Sequence, residues 1–221
     1  MKRYIRNFIR LFSGVLILFA CQPEEIKMNE FSYVFVTWSP LLINVGGEVD
    51  LADGSRGVKS RLWTFPVGGG VDILNSGNDV TSTERIVYAV FHNPGVYGIR
   101  LQAEFNDPTV TLDSIITVTV IDNVAAQFIS DAPEQGNQRV VIVGTTVNYS
   151  SVSTGYPDSY IWTFEGAEPS TATGQTPSVK YNYPGVWDVT LISYRNKPLG
   201  RDTVYVKNYI TVLPATITGE E

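Results

Sequence analysis

The sequence has one cysteine, one histidine and two methionines in 221 residues. A single thiol cannot close an internal disulfide, so the fold has to be held by its cores. Nor can it build a thiolate metal cluster. The lone histidine, His92 in the turn "HNPG", has no acidic or thiol neighbour at ligand spacing, which makes it neither a metal site nor half of a catalytic pair. Basic residues are scarce as well: 16 Lys and Arg stand against 22 Asp and Glu. Four of those cations, Lys2, Arg3, Arg6 and Arg10, crowd into the first ten residues, and the rest of the chain carries 12 basic against 22 acidic residues, a formal −10. Such a surface repels nucleic acid and anionic lipid headgroups, which excludes a nucleic-acid partner. The "GGG" at Gly68–Gly70 lacks the Lys-Ser/Thr and the helix of a phosphate loop. No pair of carboxylates stands out at glycosidase geometry. Asp50, Asp53 and Asp122 could meet at one end of a domain and take calcium, or stay solvated turn acids. No catalytic residue, metal site or cofactor is therefore expected, and the chain reads as a non-enzyme.

Long apolar runs are missing too. The run "LFSGVLILFA" has ten residues, and at a rise of about 1.5 Å per residue it falls short of a ~30 Å hydrocarbon core. Behind its basic flank it reads as a signal peptide. It ends in "LFAC", Leu18 to Cys21, which resembles the lipobox of bacterial lipoproteins. That resemblance implies removal of residues 1–20, lipid attachment at Cys21, and membrane association through the N-terminal lipid alone. Residues 21–32 form an acidic tether, "QPEEIKMNE" at its heart. Acidic residues behind the lipidated cysteine are similar to the surface-export signals of Gram-negative lipoproteins with starch-utilisation-like glycan uptake systems. The alternative is an ordinary solvated linker. On the first reading the protein sits on the outer membrane and faces the cell exterior.

The remainder of the chain is a repeat. Val45-Gly46 corresponds to Val143-Gly144, Trp63-Thr64-Phe65 to Trp162-Thr163-Phe164, and Pro94-Gly95-Val96 to Pro184-Gly185-Val186. The first copy is longer between its Trp and its Pro-Gly, which places an insertion in "PVGGGVDILNSGNDVTSTER", a surface loop or an extra edge hairpin. Each copy is a series of short Val/Ile/Thr/Tyr/Phe runs between Gly/Pro/Asn/Asp turns, with no 3.6-residue apolar period. About ninety residues of such strands argue for a β-sandwich. The expectation is an all-β chain of two tandem immunoglobulin-like sandwiches, module 1 at 33–122 and module 2 at 123–214, with a tail at 215–221. The junction "VIDNVAAQF" has no Gly/Ser stretch and predicts a semi-rigid tandem.

The segments "WTF…PGVYGIRL…ITV" and "WTFEGAEPS…YNYPGVWDVTL…ITV" resemble the PKD (polycystic kidney disease) domain. The usual Trp-Asp-Phe-Gly-Asp-Gly turn is altered in both copies, where Thr64 and Thr163 replace its first acid. Calcium binding through that turn is therefore not carried over.

Strand parity sorts the aromatics, because successive side chains point to opposite faces. Tyr97 shares a face with Ile99 and Leu101, and Trp187 shares one with Val189 and Leu191. Trp63, Trp162, Tyr97 and Trp187 are thus expected in the cores, the last two at the corner taken by a tyrosine in immunoglobulin folds. The opposite parity turns Tyr194, Tyr205 and Tyr209 outward, with Ile161 and Ile192 beside them. This strip is a candidate stacking surface for a polysaccharide, or a contact for outer-membrane uptake proteins or other protein partners. The matching face of module 1 carries Arg100, Gln102, Glu104, Thr117 and Thr119. "DSI" and "DTV" resemble an O-glycosylation triplet of the same bacterial group, which makes Ser114 and Thr203 candidate acceptors.

Overall fold

The computed structural model describes residues 32, 34–68, 70–136 and 138–215. The signal peptide, Cys21 and the acidic run of the tether lie outside the described residues. Module 1 comprises β1 (Val36–Trp38), β2 (Leu42–Asn44), β3 (Gly47–Asp53), β4 (Val58–Thr64), β5 (Val71–Ile73), β6 (Thr81–Ser82), β7 (Ile86–Phe91), β8 (Gly95–Phe105) and β9 (Thr111–Ile121). Module 2 comprises β10 (Phe128–Ser130), β11 (Glu134–Gln135), β12 (Gln138–Ile142), β13 (Thr146–Ser151), β14 (Ser159–Phe164), β15 (Ala167–Glu168), β16 (Thr171–Ala172), β17 (Ser178–Tyr181), β18 (Gly185–Arg195) and β19 (Gly200–Leu213).

Module 1 has one sheet in the order β1-β3-β7-β5 and a second in the order β2-β9-β8-β4-β6. Module 2 repeats the plan as β10-β13-β17-β15 and β11-β12-β19-β18-β14-β16. In each copy the chain starts on the first sheet, crosses, and pairs in parallel with its own last strand, β2 on β9 and β12 on β19. The other strand pairs among the described residues are antiparallel. This crossing, with a long central hairpin of β8–β9 or β18–β19, is an immunoglobulin-like arrangement. The chain is two immunoglobulin-like sandwiches in tandem.

The repeated Val-Gly pair marks one turn in both copies. Gly46 and Gly144 sit at φ 80° and 88°, a left-handed conformation that glycine adopts without a Cβ clash. Each donates its N–H to the first sheet, Gly46 to Phe91 O at 2.7 Å and Gly144 to Tyr181 O at 2.8 Å. The preceding valines donate to the ends of the closing strands, Val45 to Ile121 O and Val143 to Leu213 O. Four backbone bonds thus fix the same corner twice.

Both sandwiches close over a fully buried tryptophan, Trp63 and Trp162. Each indole N–H finds a carbonyl, Glu84 O at 3.0 Å and Gly174 O at 2.8 Å, so burial leaves no orphan donor. Val49, Leu51, Val87, Phe91, Ile99 and Leu101 fill the first core. Val147, Tyr149, Phe164, Tyr181, Val189, Leu191 and Ile210 fill the second. Among the described residues the insertion in module 1 adds no hairpin. Its β5 and β6 occupy the places that β15 and β16 hold in module 2, and the extra residues lengthen the surface connections around them.

Candidate functional site

The outer face of the six-stranded sheet in module 2 is built by β14, β18 and β19. Cross-strand register lines its residues up in rows: Ser159–Tyr194–Arg201, then Ile161–Ile192–Thr203, then Thr163–Thr190–Tyr205. Val189, Leu191 and Ser193 are buried on the opposite parity, which is why Thr190, Ile192 and Tyr194 turn outward. Ile161 is 42% exposed and Tyr205 57% exposed, while Ile192 and Tyr194 are half-buried between them. Four of the five residues expected in the strip therefore share this face.

Tyr209 does not. Between the pairs Trp187↔Ile210 and Val189↔Val206, one residue of β18 faces three of β19, a bulge that breaks the alternation. Asn208 takes a left-handed φ of 54°, and the shift turns the next side chain into the sandwich. The Tyr209 ring meets Phe128 edge-on at 5.0 Å and Tyr149 at 5.9 Å, and its hydroxyl donates to Ser130 Oγ at 2.8 Å. The Arg139 guanidinium lies 5.4 Å from the ring centroid. Burial pushes its phenol above the ordinary range. Alternation predicts an outward Tyr209 only for an unbroken strand. The Lys-Asn pair at the middle of β19 is the one sign of the break in the sequence, since asparagine tolerates left-handed backbone.

Asp188 holds the bulge. One carboxylate oxygen accepts the Asn208 N–H at 2.7 Å and the other accepts the Tyr205 hydroxyl. The Tyr205 bond, with the Asn208 N–H behind it, holds the carboxyl below the usual range, and the carboxylate in turn raises the Tyr205 phenol. The ring of Tyr205 stays open to solvent, but its hydroxyl is engaged.

The corner aromatics differ in one atom's fate. The Tyr97 hydroxyl donates to Asn93 O, four residues upstream, at 2.8 Å, as a tyrosine corner does. Trp187 packs against the core of module 2 over the backbone of Gly166 and Gly185, and its indole N–H is buried without an acceptor.

The matching face of module 1 carries the expected polar residues, and Asp113 adds a paired contact with Arg100 at 2.7 and 2.5 Å. Leu62 and Ile115 are exposed there, but each stands in its own row, Leu62–Gln102–Asp113 and Thr64–Arg100–Ile115. Module 1 instead exposes Leu74, Ile86 and Tyr88 on its other sheet. Parity cannot find that face in the sequence, because the run "IVYAVF" is apolar on both sides. Val87, Ala89 and Phe91 are the fully buried set.

Of the candidate acceptors, Thr203 is exposed in the row with Ile161 and Ile192, while Ser114 is half-buried inside β9 opposite Leu101. His92 does have an acidic neighbour, Asp72, whose carboxylate lies 2.7 Å from Nε2 on the surface. Asp53 is buried and already occupied by the Arg61 guanidinium and the Ser55 N–H, both at 2.9 Å. Among the described residues no group of three or more His, Cys, Asp or Glu is placed to hold a metal ion.

No family model and no curated protein matches the chain. Solved structures resemble it in shape. A titin I-band fragment, I67–I69, is 13% identical at a TM-score of 0.47, covering 83% of this chain and 66% of that one. A C-terminal intimin fragment is 13% identical at 0.45, covering 79% and 64%. The ectodomain of mouse nectin-like molecule 4 is 17% identical at 0.38, covering 83% and 66%.

Proposed function

We propose that this chain is a lipid-anchored, non-catalytic accessory protein of the outer-membrane surface, and that the outer sheet of module 2 is its contact face. The anchor rests on the lipobox-like "LFAC" at Cys21, and the PKD-like repeat supplies the two-module body. The observation that carries the contact is one sheet face on which Tyr194, the pair Ile161 and Ile192, and the open ring of Tyr205 stand in three successive rows. Sugar rings present apolar C–H faces, and a flat aromatic and aliphatic surface suits them. The ligand on this reading is a polysaccharide handed to an outer-membrane uptake system.

A second reading is a spacer or adhesion module with a protein partner. It is favoured by the engaged hydroxyl of Tyr205 and the withdrawal of Tyr209, which leave Ile161 and Ile192 at the centre. Affinity electrophoresis of the full chain against a polysaccharide panel separates the two. Retardation by one polysaccharide, abolished in Tyr194→Ala and Tyr205→Ala, is expected. No retardation by any polysaccharide, or retardation indifferent to both substitutions, sinks the glycan reading and leaves the protein-contact one.

A further inference from the structure

The last core position of β18 is occupied by an arginine. Gly185 to Arg195 matches Gly95 to Phe105 residue for residue, so Arg195 stands where module 1 buries Phe105. Arg195 is only 4% exposed, and none of its bonds goes to a carboxylate. Its guanidinium reaches four oxygens on four segments. Nε donates to Pro198 O at 3.0 Å and Nη1 to Asp122 O at 3.2 Å. Nη1 also reaches Gly155 O, and Nη2 reaches the Asn44 Oδ1 of module 1.

Asn44 completes the circuit by donating its amide to Leu199 O at 2.7 Å, in the turn between β18 and β19. Around this centre Asn123 donates to Val45 O at 3.3 Å, Ala126 N–H to Asp202 at 2.7 Å, and Ala125 forms a two-way bridge with Thr154. Val124 is buried under the same turn, close to Gly200. A phenylalanine at position 195 would have capped the module and ended there. An arginine extends the core's end into directed donors, and the four oxygens that meet them come partly from a second body.

We infer that Arg195 is an inter-module clamp: it fixes module 2 on the end of module 1 and sets the angle at which the contact face is held. Domains in tandem move relative to one another by default, and a short connection limits that swing without fixing its angle. Here the end strands of module 1, the connection and the turn of module 2 converge on one buried guanidinium, so the swing is arrested. The clamp is independent of whatever the contact face binds.

Pulsed electron–electron spin resonance tests it on the full chain with Cys21→Ser and spin labels at Thr117→Cys and Lys180→Cys, one exposed site per module. One narrow distance is expected with Arg195 in place, and a distribution broadened at least twofold in Arg195→Met, whose side chain keeps the bulk but has no donors. Near-ultraviolet circular dichroism should show module 2 still folded. A broad distribution with Arg195 present, or an unchanged narrow one in Arg195→Met, overturns the clamp. If Arg195→Met does not fold, Asn44→Ala decides in its place, since Asn44 belongs to module 1 and lies outside the core of module 2. Lowered melting of module 2 with no broadening would make Arg195 a local core residue and also overturn the inference.

Discussion

Modules 1 and 2 share strand order, turn chemistry and a buried tryptophan, and they differ most where a polar atom replaces a carbon. Module 1 fills the positions of Leu51 and Phe91 with hydrocarbon, whereas module 2 places Tyr149 and Tyr181 there and joins their hydroxyls at 2.8 Å in a fully buried site. Module 1 ends its long strand on Phe105, module 2 on Arg195. The bulge at Asn208 has no counterpart, because β8 and β9 pair without interruption from Gly95 to Glu104. One plan therefore tolerates two solutions. Module 1 keeps directed bonds of its own, at Asp53 and Tyr97, and module 2 adds bonds that hold a neighbour and re-aim a strand.

The two copies should suffer most, and equally, at the element they share. Trp63→Ala and Trp162→Ala should each cost about 3–5 kcal/mol, from the cavity and the abandoned carbonyl, and urea unfolding should show equal losses within error. A large inequality would mean that one core leans on the other module. The corners come next. Gly166→Ala puts a Cβ under the Trp187 ring at φ 67° and should destabilise module 2 by about 1–2 kcal/mol. Tyr97→Phe should cost module 1 about 1 kcal/mol through the lost bond to Asn93 O.

Alkaline pH sharpens the contrast without a mutation. Burial raises the Tyr181 phenol to about 12 and lifts Tyr149 further, while unfolded tyrosines ionise near ~10. Between those values the unfolded chain sheds protons that the folded pair keeps, so stability falls as pH rises, and below about 10 it is unaffected. Calorimetry across that window should show module 2 melting earlier at its alkaline end. Tyr149→Leu with Tyr181→Phe, which copies module 1, should shrink that dependence to the part that Tyr205 and Tyr209 contribute. The smallest effect is spectroscopic. Asp188→Asn should return the Tyr205 phenol toward its ordinary value, read by ultraviolet titration, with little change in stability.

Much of this architecture is legible in the sequence for a physical reason: the duplication prints each structural requirement twice. Trp63 and Trp162, the Val-Gly corners and the Pro-Gly entries to β8 and β18 recur because the same backbone has to be built again. Features present in only one copy are harder to read. Tyr209 escapes parity because alternation propagates along a strand only until a bulge resets it. Arg195 sits on the core parity of Val189 and Leu191, an odd place for a charge, but its partners come from Asn44 and Asp122, far off in sequence. The Leu74, Ile86 and Tyr88 face is silent because both sides of β7 are apolar.

The parallel pairing of β2 with β9 and of β12 with β19 has a mechanical consequence. Leu42–Asn44 runs alongside Thr119–Ile121, and Arg139–Ile142 alongside Ile210–Leu213, so a pull along the tandem drags neighbouring strands in opposite senses. Their bonds are then loaded together, in shear, and do not open one after another like a zip. Force applied between the two ends of the body would reach the β1–β3 and β10–β13 pairs and then these short ladders, three register pairs in module 1 and four in module 2.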